Sequence, residues 1–285
     1  MYGNNPSQSR LYPQQQRSGG CLRIGIALAV AAFAIISFMS SKVYNPVTGQ
    51  DQYISITQEQ EIALGIQAAP EMEAQFGGLE PNGEYQTIVQ YVGNYIINNS
   101  EAAQSGYPFE FHVLADQQTV NAFALPGGQV YITRALVDKL ETEGQVASVL
   151  SHEIMHVLAR HSAEQIAQSQ LAEGLTGALV LATYDPNDPN SMHTAQVALV
   201  IDQLVQMKFS RDDETAADTF GVDLMSQAGY DPNQMVTVMK ILEESSGAAP
   251  IEFFSTHPNP ENRIGRIQAA IAEKYPNGVP TGMIQ

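Results

Sequence analysis

Apolar residues recur along this chain in three rhythms, and each predicts a different kind of element. The first is continuous: Ile24 to Ser41 is an uncharged apolar run held between Arg23 and Lys42. At a rise of about 1.5 Å per residue, roughly 18–20 such residues cross a hydrocarbon core of about 30 Å, so residues 22–42 are expected to form one transmembrane helix. The second rhythm has period two. Phe109, Phe111 and Val113 alternate with polar neighbours, which predicts a strand over 108–115. Strands near 119–124 and 128–132 are expected around the turn Leu125-Pro126-Gly127-Gly128.

The third rhythm is helical. Thr57 followed by Gln60 and Glu61 has the form of a capping box. A second helix is expected from Glu84 to about Ala103, with Ile88, Tyr91, Val92, Tyr95 and Ile96 on one face. Further helices are predicted over 133–140, 144–160, 162–171, 192–208, 212–228, 232–245 and 259–274. Many helices and one small sheet make an α+β domain, expected over 57–275. Before it, the Pro/Gly-marked stretch Asn45-Pro46-Val47-Thr48-Gly49 predicts a linker over 43–56. Residues 1–20 are rich in Gln, Ser, Asn, Gly and Pro and predict a disordered tail, and 276–285 a short C-terminal one.

Charge adds topology. Arg10, Arg17, Arg23 and Lys42 are the only charges in the first fifty residues, which carry +4, and the rest of the chain carries −21. Such an acidic domain has no basic patch for nucleic acid, so nucleic acid is not an expected partner. Three arginines before the apolar run and one lysine after it keep the N-terminus cytoplasmic and export the domain, periplasmic or otherwise extracytoplasmic. A cleaved signal peptide fits less well, because cutting after Ser40 or Ser41 leaves Phe38 or Met39 at the −3 position, where a small residue is wanted. The lone Cys21 precedes the apolar run, which excludes a lipoprotein, and it provides neither a disulfide framework nor a Cys-rich zinc site. The acid-free, Arg- and Ser-containing start is also compatible with targeting to an organellar inner membrane.

The chemistry is concentrated in Ser151-His152-Glu153-Ile154-Met155-His156-Val157-Leu158. Residues four apart share a helical face, so His152 and His156 can point at one ion. Glu153, about a hundred degrees round the helix, reaches a water on that ion without ligating it. Two neutral nitrogens, a carboxylate and a metal that lowers the pKa of water make a zinc hydrolase. Ile154, Val157 and Leu158 argue that this helix is buried, where two histidines and a glutamate without partners or metal would be costly. For a third ligand the metzincin pattern fails, since positions 159 and 162 are Ala159 and Ser162. His161 falls roughly a hundred and forty degrees round the helix from His156 and reads as a surface or helix-end histidine. Ser210 to Asp218 offers Glu214 as a ligand and Asp218 as the partner of a ligating histidine. The alternative is a solvated acidic helix start. His112 and His193 read as structural or exposed.

Four separated blocks carry a family resemblance: Asn121-Ala122-Phe123-Ala124-Leu125-Pro126-Gly127-Gly128, His152 to His156, Ser210 to Asp218, and His257-Pro258-Asn259-Pro260-Glu261-Asn262-Arg263. In order and spacing they resemble the zinc endopeptidases that include HtpX, BepA-like and Oma-type proteases and the CAAX prenyl endopeptidases, metallopeptidase family forty-eight. The resemblance covers roughly residues 52–275. It implies a zincin-like (gluzincin) fold with one zinc per chain held by His152, His156 and Glu214, with Glu153 as catalytic base. It further implies that Asp218 and Arg263 support the site and that the strand Asn121, Ala122, Phe123, Ala124 takes up an extended peptide. His257 is implied near the metal, either binding the oxyanion during catalysis or filling the fourth zinc position at rest.

HtpX and prenyl-protease relatives have several membrane spans. Here residues 171–183 are apolar but short and contain Glu173, so they are not expected to span, and 162–208 reads as a lid. The expected function is a membrane-anchored zinc endopeptidase acting on misfolded or misassembled envelope polypeptides. The alternative is an envelope chaperone or assembly factor with a latent metalloprotease site. The sequence does not speak to oligomeric state.

Overall fold

A computed structural model describes residues 19–183, 208–245, 252–258 and 262–285. The tail before residue 19, His193 and nearly all of the helix expected over 192–208 lie outside the described residues. In chain order the elements are α1 (Gly19–Ser40), β1 (Lys42–Asn45), β2 (Gln50–Tyr53), α2 (Gln58–Gln75), α3 (Gly83–Asn98), a 3-10 turn (Glu101–Gln104), β3 (Glu110–Leu114), β4 (Ala122–Ala124) and β5 (Gln129–Thr133). They continue with α4 (Arg134–Val137), α5 (Glu143–Leu158), α6 (His161–Thr183), α7 (Arg211–Gln227), α8 (Asn233–Ser245), α9 (Phe253–Thr256) and α10 (Arg263–Lys274). The class is α+β, mainly helical.

The chain divides into two compact units, residues 1–37 with 170–193, and residues 38–169 with 194–285. In the first, α1 supplies Leu22–Ser37 of a 19-residue stretch, Leu22–Ser40, that is long and apolar enough to cross a membrane. Leu28, Phe33 and Ile36 are exposed on it.

The second unit is built on a three-stranded sheet in the order β3-β5-β4. β3 runs parallel to β5 with Phe111 opposite Val130, and β4 runs antiparallel to it with Phe123 opposite Tyr131. β4 is therefore an edge. The turn joining β4 to β5 lies against α2: Gly127 has φ +85°, and a Cβ there would come within 2.3 Å of the Ile62 Cα. α5 is the central helix, buried on every side from Gly144 to Leu158. Leu150, Ile154 and Met155 pack in one core with Ile132 of β5, Val222 and Leu224 of α7, Met239 of α8 and Ile267 of α10. Contacts between α5 and α7 are the most extensive of any pair of elements, so these two helices fix each other's side chains in place.

Several boundaries differ from expectation. The segment expected as a linker holds the antiparallel hairpin β1–β2, with the Pro/Gly signal at its turn. It is not a spacer: Asn45 donates to the Leu158 carbonyl at 3.0 Å and Gln52 to that of Ala159 at 2.7 Å, both at the end of α5. Phe38, still in α1, stacks on Tyr53 of β2 at 4.5 Å. Residues near the C-terminus also dock, since the Ile284 amide donates to Gly229 and its carbonyl accepts from Asp231, each at 2.9 Å. α6 runs to Thr183 rather than stopping near residue 171. α10 starts at Arg263 behind a left-handed Asn262 (φ 58°), so Arg263 is its first residue.

Candidate metal centre

Thr142 caps α5 by accepting from the Gln145 amide, and the helix then carries His152, Glu153 and His156 into the core. Ser210 and Asp213 form a capping box at the start of α7, which fixes the register that turns Glu214 and Asp218 inward. The solvated-helix alternative holds for the exposed Asp212, not for Glu214 or Asp218, which are both buried. The two helices meet at Gly221, where a Cβ would lie in ordinary contact with the His152 backbone, 3.6 Å from its amide nitrogen.

His152 Nε2 and His156 Nε2 lie 3.1 Å apart, and Glu214 Oε1 is 3.4 Å from His156 Nε2. His257, just after α9, brings Nδ1 to 2.9 Å from Glu214 Oε1 and 3.4 Å from His152 Nε2. One donor atom from each of these four buried residues falls within 4.8 Å of the others. Glu153 is fully buried, and neither of its carboxylate oxygens has a hydrogen-bond partner. An orphaned buried carboxylate beside converging imidazoles is costly for a protein alone and suits a cation. The donor set is nitrogen and carboxylate oxygen without sulfur, and it fits zinc.

The surrounding groups hold these side chains in place. Asp218 Oδ1 lies 2.9 Å from His152 Nδ1. Arg263 donates to Asp218 through Nε at 2.7 Å and Nη2 at 2.8 Å, and its Nη1 lies 3.2 Å from Glu214 Oε2. Burial pulls His152 down, but Asp218 and Glu214 outweigh it and push it up to about 9. Burial drives His156 well below its ordinary value and raises Glu153. Glu214 is held well below the usual carboxylate range, because the histidines outweigh its burial.

The expected substrate strand lies beside this cluster. Asn121 and Leu125 bond to β5 through the Thr133 amide and the Gln129 carbonyl, so Ala122 and Ala124 direct their backbone groups away from β5. Asn121 Oδ1 accepts from the Ala122 amide at 2.9 Å, which gives the buried amide its partner. The Ala122 carbonyl lies 3.3 Å from His257 Nε2. Phe123 points away from the edge, stacked on Tyr131. A cavity of about 50 Å³ beside His257 is lined by Met72, Phe76, Asn121, Phe123, Leu125 and Phe209, among others.

Two neighbours escaped the sequence. His161 is not a surface histidine: it is 3% exposed, with Nδ1 at 2.9 Å from His156 Nδ1. The count of helical angles failed because Arg160 (φ 58°) breaks the helix and redirects the chain before His161. Phe209 stacks on His156 at 3.9 Å, a contact that no spacing announces. His112 is structural, its Nε2 3.0 Å from Gln129 Oε1.

Residues 83–271, more than half of the chain, match the model of Peptidase family M48. The chain belongs to peptidase family M48. That membership makes it a metalloendopeptidase of the family. It is 29% identical over 249 residues to the mitochondrial metalloendopeptidase OMA1 of Schizosaccharomyces pombe, covering 86% of this chain and 71% of that protein. The beta-barrel assembly-enhancing protease of Escherichia coli K12 is 30% identical over 187 residues, 62% of this chain and 37% of its own. A putative protease of the same name from Vibrio cholerae is 35% identical over 164 residues, 55% and 33%. The chain therefore spans well under half the length of these bacterial M48 relatives.

Proposed function

We propose that this M48 peptidase is a membrane-anchored zinc endopeptidase in which His152, His156 and Glu214 hold one zinc ion and Glu153 is the general base. The observation that carries the reading is the Glu153 carboxylate, buried and without a hydrogen-bond partner beside the three converging ligands. A pure binding module has no use for such a group. When bound, zinc supplies Lewis acidity, polarising the scissile carbonyl and making water more acidic. Glu153 takes the proton of the attacking water and passes it to the departing amide nitrogen. Burial raises Glu153, which suits a group that must hold that proton in transit. The edge of β4 aligns an extended polypeptide by backbone hydrogen bonds at Ala124. Asp218 orients His152, and Arg263 balances the charges of Asp218 and Glu214.

His257 has two roles open to it. Its Nδ1 belongs to the four-residue cluster, which favours a ligand that closes the site at rest. The other role is for its Nε2, 3.6 Å from Glu153 Oε1, to serve the charge that develops on the carbonyl oxygen. Substrates are proposed to be misfolded or misassembled envelope polypeptides, with α1 as an uncleaved anchor, the N-terminus cytoplasmic and the domain exported. The names of the relatives, one mitochondrial and others assembly-enhancing, support this setting.

The test is metal analysis with casein digestion, comparing wild type with Glu153→Gln. One zinc per chain in both proteins, with at least about a hundredfold less hydrolysis in the variant, is expected. Near-normal turnover in Glu153→Gln would overturn the mechanism, and a zinc-binding but inactive wild type would favour an assembly factor with a latent site.

A further inference from the structure

We propose that His161 is a positioning residue for His156, fixing the tautomer that turns Nε2 of His156 towards the metal centre. The inference rests on the metal reading above. An imidazole binds a metal through an unprotonated nitrogen, so its other nitrogen carries the hydrogen and needs an acceptor. For His152 that acceptor is Asp218, 2.9 Å from Nδ1. His156 has no carboxylate in that place. Its Nδ1 faces His161 Nδ1 at 2.9 Å, a hydrogen-bond distance across which one of the two rings must donate.

The direction follows from the surroundings. If His161 donated, the proton of His156 would sit on Nε2, pointing at His152 Nε2 only 3.1 Å away and blocking the cluster. With His156 donating, His161 carries its own proton on Nε2, which lies 3.8 Å from Asp213 Oδ1. Asp213 is turned that way by the capping box, in which its other oxygen, Oδ2, accepts from the Ser210 amide at 2.8 Å. Asp213, His161 and His156 thus form an ordered series, with an imidazole standing where the other ligand has a carboxylate.

The backbone is arranged to put His161 there. Arg160 takes the left-handed conformation that ends α5 and starts α6, a conformation few non-glycine residues adopt. Its guanidinium is tied to the Glu61 carboxylate and donates to the Ile56 carbonyl at 2.9 Å, which holds the bend. Phe209, stacked on His156, keeps the ring from rotating out of line.

The experiment uses the full chain with His161→Leu, which removes the acceptor, and His161→Asn, which returns an oxygen near the place of Nδ1. Zinc affinity is measured by chelator competition, with thermal unfolding of the metal-free proteins alongside. His161→Leu is expected to bind zinc about 10–100-fold more weakly, and His161→Asn to recover most of that loss. Long-range nitrogen–proton spectra of the zinc-loaded wild type should show His156 protonated at Nδ1 and His161 at Nε2. Wild-type affinity in His161→Leu would overturn the proposal. Should that variant fail to fold, the spectra decide, and a proton on Nδ1 of His161 overturns it. A folded wild type without zinc affinity would instead sink the metal reading itself.

Discussion

Arg263 grips both oxygens of Asp218, and the two residues are buried together, 3% exposed each. A cation and an anion taken out of water in this way depend on each other more than on the rest of the fold. Removing one strands the other, at a cost of about 3–5 kcal/mol. Arg263→Met should therefore lower the unfolding free energy of the metal-free protein by about that amount. Asp218→Asn combined with Arg263→Met should cost less than the sum of the single changes. Additive losses in urea unfolding would show that the two side chains act independently.

Acid should expose the same pair. Burial alone would raise Asp218, but Arg263 and His152 outweigh it and hold its carboxyl below the ordinary value. A carboxyl depressed by folding contributes stability that is complete above its unfolded pKa, about 4, and is lost as pH falls through the native value. Metal-free wild type should lose stability over that window, and Asp218→Asn should show a shallower dependence there. Identical slopes in denaturant titrations at each pH would remove Asp218 from the account.

His257→Ala separates the two roles of that residue. If His257 closes the site at rest, the variant keeps zinc and digests casein faster than wild type. If it serves the developing oxyanion, turnover falls by roughly 10²–10³. Metal-edge absorption of the resting protein reads the same question, with three nitrogens at about 2.0–2.1 Å expected for the closed form.

Ala124→Pro tests the edge strand. Position 124 directs its amide away from β5, so proline there leaves the ladder to β5 intact and removes a donor from the free edge. Zinc content and melting temperature should stay near wild type while hydrolysis of long peptides falls. Unchanged cleavage would show that polypeptides dock elsewhere.

Much of this site was legible because its chemistry is written at short range. His152, Glu153 and His156 share one helix, so helical spacing put their side chains together; for Glu214 and Asp218 spacing left a solvated helix start open, the family resemblance favoured an inward pair, and the structure buries both. The three strands and the Thr57 capping box were legible for the same reason. What the sequence hid depends on single backbone angles or on packing. The left-handed Arg160 brings His161 back to the site, although a continuous helix would carry it away. The signal at Asn45–Gly49 reads equally as a spacer or as the turn of a hairpin, and only the carbonyls of Leu158 and Ala159 decide between them. Phe209 has no periodic partner at all; it becomes meaningful when α7 and α5 are side by side.

The hairpin has a practical consequence. Anyone wishing to handle this peptidase without detergent would trim the apolar helix α1 and, by habit, the stretch 41–56 behind it. That cut would also take away Asn45 and Gln52, two of the hands that hold the final carbonyls of α5, the helix that carries His152 and His156. A trimmed enzyme would fray at the end nearest His156, and its weak activity would be misread as a need for lipid. Cutting ahead of Ser41 preserves the clasp, and comparing the two truncations tells solubilisation apart from damage.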